Sequence, residues 1–152
     1  MNTTMTLDNR LNSCWWALRI GIGSAVLLAG LDKYFNILTD WGMYLSPFSQ
    51  HMLPVSAKTF MHLVGIIEMI VGLAILTRWT RIAAYIASLW LVLIAVNLVT
   101  SGGFFDLAVR DIEIAIAAYV LAKMTEVRQP STVPGHVRSA LESKPAQPAR
   151  VA

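Results

Sequence analysis

The sequence predicts an all-α integral membrane protein, a four-helix bundle with a short interfacial helix between the first and second spans. Three observations carry this. The chain of 152 residues is 56% hydrophobic and only 14% charged, whereas a soluble domain carries about 25% charged residues. Four apolar runs, at 14–31, 60–77, 82–99 and 104–124, each approach the roughly 20 residues that cross about 30 Å of hydrocarbon as a helix. The runs are continuous rather than alternating, which argues against strands of a barrel.

The elements follow in order. The first run is read as a span and not a cleaved signal, being too long and without a small-residue cleavage site. It starts after "TLDNRLNSCWW", where Trp15 and Trp16 suit an interface. Its glycines, Gly21, Gly23 and Gly30, permit close helix approach. The segment "FNILTDWGMYLSPFSQHMLPVSAK" is too long for a hairpin and too apolar for a solvated loop. Ser46 before Pro47 has the form of a cap and first helical position, and Pro54 ends the element, so a short helix is expected over 47–53. "LTRWTR" and "TSGGFFD" are tight connections to the third and fourth spans. After Met124 the chain gains Pro130, Pro134, Pro145 and Pro148 and reads as a disordered tail. The expected divisions are 1–13 as an N-terminal segment, 14–124 as the membrane domain and 125–152 as the tail.

Charge placement gives the orientation. Arg10, Arg78, Arg81, Lys123 and Arg128 lie at one end of the spans, against Lys33 and Lys58 at the other. The positive-inside rule then puts both termini in the cytoplasm of an inner-membrane protein. The pI near 9.3 belongs to this signal and calls for no nucleic-acid partner. Cys14 is the single cysteine, so a dithiol mechanism has no resolving partner and disulfide-generating membrane oxidoreductases are excluded.

Polar residues within the spans are the candidates for function, because a charge at the bilayer centre costs about 2.5–3.5 kcal/mol on insertion scales. Glu68 shares a face with Gly65 and Gly72, so a neighbouring helix can shield it. The fourth helix is expected to supply its partner. Asp106, Arg110 and Glu113 fall on one stripe, and the planar fork of Arg110 can bridge two carboxylates. Asp111 points off that stripe and is read as the outer rim. Asp32 and Lys33 from the first span, His62 from the second and Asn97 from the third complete an outer polar cluster. Arg19 is expected to snorkel to the cytoplasmic interface. No metal site is expected, His62 having no second intramembrane histidine to act with.

"AGLDKYF", the G-x-x-E-x-x-x-G of "HLVGIIEMIVGLAILT", the arginine-bearing turn after it and the acidic start of the last span together resemble the DoxX family, over roughly 12–124. The resemblance implies a four-helix membrane protein, with Lys33, Gly65, Glu68 and Gly72 as the motif residues. Some family members are linked to thiosulfate:quinone oxidoreductase or to membrane-associated redox complexes. The expected function is therefore a membrane subunit of a redox complex, its outer cluster taking a quinone headgroup or a small anion. Arg110 would orient the ligand oxygen, and Glu68 or Glu113 would exchange a proton. No other cofactor is evident, and the expected partners are the lipid bilayer and an oxidoreductase subunit. The rivals are a non-catalytic anchor or assembly subunit, and a small transporter.

Overall fold

A computed structural model describes residues 3–128 apart from Leu53. Its elements are α1 (Thr3–Phe35), a 3-10 turn (Trp41–Tyr44), α2 (Pro47–Met52), α3 (Ala57–Leu76), α4 (Thr80–Ser101) and α5 (Phe105–Arg128). Three helices, over Asn9–Phe35, Ala57–Leu76 and Thr80–Ser101, are long and apolar enough to cross a membrane. The fourth long helix, α5, has 24 residues, about 36 Å at 1.5 Å per residue. It packs along α4 at both ends: Ala108 meets Ala95 and Leu98 near one, and Ala118, Leu121 and Ala122 join Ala83, Ala84 and Ala87 near the other. A helix held against a span along its length shares its depth, so the chain is the expected four-helix membrane bundle.

Local chemistry sets the ends. Asn36 adopts φ 50°, the left-handed conformation that asparagine tolerates after a helix, and its N–H donates to the Asp32 carbonyl at 2.7 Å. The Ser46 hydroxyl accepts from the Ser49 N–H at 3.2 Å and caps α2, with Pro47 at its first position as expected. Leu53, the last residue expected in this helix, lies outside the described residues. Ser56 caps α3 by accepting from the Thr59 N–H at 3.2 Å. Gly102, at φ 78°, closes α4.

The helices associate as two close pairs, α1 with α3 and α4 with α5. Along the first, glycines meet in antiparallel register. A Cβ on Gly30 would sit 2.7 Å from the Gly65 carbonyl oxygen, and one on Gly72 would sit 2.6 Å from the Leu27 nitrogen. Glycine is required at both contacts because the obstacle is backbone. The sequence reading had α5 approaching Gly65 and Gly72; it is α1 that does so, through Gly23 and Gly30, which share the seven-residue spacing.

The end bearing the arginines departs from expectation in three places. Trp15 is not an interfacial anchor: it is buried and donates from Nε1 to the Thr125 hydroxyl at 2.8 Å, joining α1 to α5. Trp16 beside it is exposed. Arg19 reaches toward the expected end, but its head is taken up by protein: it donates to the carbonyls of Ile75 at 3.0 Å, Leu76 at 2.7 Å and Thr77. Those carbonyls end α3 and have no helical partner, so a cation there satisfies both hydrogen bonding and the helix dipole. Finally, α5 runs on to Arg128, past the expected boundary at Met124, with Thr125 buried. The remainder of the expected tail lies outside the described residues.

Candidate functional site

Lys33 stands near the C-terminal end of α1, and helical side chains lean toward the helix N-terminus. Its long stem therefore carries the ammonium down into the bundle, where Nζ meets Glu68 Oε2 at 2.5 Å. Both residues are 5% exposed. The glycine contact between Gly30 and Gly65 lies one turn away on the same two helices, and close approach there brings the pair together and excludes lipid from it. The other carboxylate oxygen, Oε1, accepts a long hydrogen bond from Trp90 Nε1 on α4 at 3.4 Å.

Above the pair, Asp32 organises the lid. Its carboxylate accepts from the backbone N–H groups of Ile37 at 3.0 Å and Leu38 at 3.2 Å, and from Trp41 Nε1 at 2.8 Å. That bond fixes the Trp41 ring over Lys33, with Nζ 3.8 Å from its centroid. A desolvated cation–π contact contributes about 2 kcal/mol. One carboxylate thus holds the aromatic cover and its neighbour in the chain supplies the buried cation. Asp111 of α5 is also buried.

The other expected members do not join the pair. Asp106, Arg110 and Glu113 are exposed on the outside of α5. Among the described residues Arg110 pairs with its chain neighbour Asp111, at 3.3 Å, and not with Glu68, so it is not the counter-charge of that acid. Asn97 serves the loop: its side chain donates to the Tyr44 carbonyl at 2.8 Å and accepts from the Ser46 N–H at 3.2 Å and the Ser49 hydroxyl at 2.9 Å. His62 stacks on Tyr34 with ring centroids 4.7 Å apart.

Asp111, Trp41 and Trp90 were missed as site residues. A signal for Asp111 was present: it shares a helix face with Ala108, Ala115, Ala118 and Ala122, and these small residues mark the packed side of α5. The expected stripe followed charge spacing, which locates a face without saying whether it points inward. For the two tryptophans the sequence carries no such mark.

The arrangement can hold a buried, mutually neutralised acid and base beneath an aromatic cover. Every buried side-chain polar atom among the described residues has a partner. Two surface grooves lie elsewhere, one at Arg78, Arg81 and Tyr85 and the other at Val92, Ile112 and Ile116.

The model of the DoxX family matches residues 14–101. The match takes in α1 from Cys14, α2, α3 and α4, and with them Lys33 and Glu68, while α5 follows it. No curated protein and no solved structure matches the chain.

Proposed function

As the chain belongs to the DoxX family, we propose that it is an inner-membrane subunit of a redox complex whose Lys33–Glu68 site receives a quinone headgroup or a small anion. One observation carries the reading: a lysine and a glutamate are buried together on a glycine seam, beneath a tryptophan held in place for them. Intramembrane ionisable residues that face a bundle interior are functional candidates by default. Lys33, not Arg110, is the donor for a ligand oxygen, and Glu68, released from it, is the proton-exchanging carboxylate. A quinone would supply the electron-accepting group. Its carbonyl oxygen would accept from Lys33 Nζ and its ring would lie against Trp41, and entry requires Lys33 and Glu68 to part.

A second reading is favoured by the closure of the pair itself. All of its polar atoms are satisfied in place, as expected of an anchor or assembly subunit in which the ion pair fixes helix register. Quinone content separates the two. The protein purified in mild detergent should carry extractable quinone, and the Lys33→Met/Glu68→Leu double variant should lose it while remaining folded. Wild-type protein without quinone, together with full activity of the complex containing the double variant, would leave the anchor reading standing.

The orientation proposed from the positive residues has both termini cytoplasmic and the 36–56 loop outside. A reporter active only in the cytoplasm should work when fused after Arg128 and fail at Ser49. Activity at Ser49 would reverse the orientation.

A further inference from the structure

The outward face of α5 presents Asp106, Val109, Glu113, Ile116 and Val120 at alternating spacings of three and four residues, with Arg110 beside Glu113. Arg110 is 57% exposed in its side chain, and Val109 and Ile116 are each 59% exposed. Among the described residues neither Asp106 nor Glu113 makes an ion pair. Because α5 lies along α4 at membrane depth, this face would otherwise turn its charges toward lipid, at about 2.5–3.5 kcal/mol for an acid at the centre.

We propose that this face is the interface between two copies of the chain, related by a two-fold axis along the membrane normal. A two-fold sets the same patch against itself, so the occupant must complement the patch with the patch's own residues. This stripe does so. The axis makes the two α5 helices parallel and level, and Glu113 lies three residues, about 4.5 Å, below Arg110. Each arginine then reaches the carboxylate of Glu113 of the partner subunit, and its fork suits two-point contact with an acid. Asp106 lies about 10 Å above Glu113, toward the aqueous boundary. Val109, Ile116 and Val120, at the spacing of a coiled-coil seam, fill the rest. The partner is a second copy because one stripe holds both halves of the ion pair.

The test is made in native membranes on the full chain with Cys14→Ser. A single cysteine from Ile116→Cys should give a disulfide-linked species of twice the mass on mild oxidation. One from Ile66→Cys, on the exposed side of α3, should give none. Arg110→Glu and Glu113→Arg, each added to Ile116→Cys, should lower the cross-linked fraction about tenfold, roughly 1.4 kcal/mol of association. The two reversals combined should restore it, which distinguishes lost pairing from failed folding. Equal cross-linking at Ile116 and Ile66, no recovery in the double reversal, or an adduct formed only with a different protein would each overturn the proposal.

Discussion

The two helix pairs solve the same packing problem with different residues. Between α1 and α3 the contacts are glycine on backbone, and the chains come close enough to seal in a lysine and a glutamate. Between α4 and α5 the contacts are alanine on alanine, with Ala84, Ala118 and Ala122 almost fully buried. The glycine seam sacrifices helix propensity, about 1 kcal/mol per glycine relative to alanine, for proximity. The alanine seam keeps the propensity and leaves most of its ionisable groups outside. The glycine seam buries both members of an ion pair, whereas of the ionisable groups of α5 only Asp111 is buried among the described residues.

Four substitutions break or sharpen this contrast, from the largest effect to the smallest. Lys33→Met strands Glu68 in the sealed seam and should cost about 3–5 kcal/mol, read as a large drop in thermal stability in detergent. Gly72→Ala drives a methyl against the Leu27 backbone, and overpacking of this kind costs about 1–3 kcal/mol. The α1–α3 pair should loosen while α4–α5 stays paired, as judged by amide exchange on each helix. Asn97→Ala removes the tether of the loop and should cost about 1–2 kcal/mol, with exchange accelerating over 41–52 but not within α3. Ala118→Gly, the mirror of the glycine change, should cost about 1 kcal/mol through helix propensity, with no separation of the pairs. A loss at Ala118 as large as that at Gly72 would erase the distinction between the seams.

Much of the fold was legible in the sequence because hydropathy and punctuation are local signals. Four apolar runs gave the long helices, and Ser46 with Pro47 gave α2 down to its cap. The glycine stripe of α3 was legible too, and with it the shielding of Glu68. The identity of the shield was not. Gly23 and Gly30 share the spacing of Gly65 and Gly72, but pairing two stripes requires knowing which helices are neighbours, which is tertiary information. The charges of α5 misled for a related reason. Spacing shows that Asp106, Arg110 and Glu113 share a face, whereas the alanines at Ala108, Ala115 and Ala118 show which face is inside. The partners of Arg19 were not legible because the C-terminal carbonyls it binds belong to another helix, 56 residues away or more in sequence. Asp32 and Trp41 are linked through a loop whose path depends on Asn36 taking φ 50°, a conformation with only a weak sequence mark.

The central claim is that Glu68 is neutralised by Lys33 across the glycine seam, and not by Arg110. A double-mutant cycle in thermal or denaturant unfolding tests it most directly. The account predicts that Glu68→Leu and Lys33→Met each destabilise strongly, since breaking a buried pair costs about 3–5 kcal/mol. Their combination should then be more stable than either single variant. Glu68→Leu with Arg110→Met should be additive within about 0.5 kcal/mol. Additive losses for Lys33 with Glu68, or a rescue of Glu68→Leu by Arg110→Met, would contradict the account.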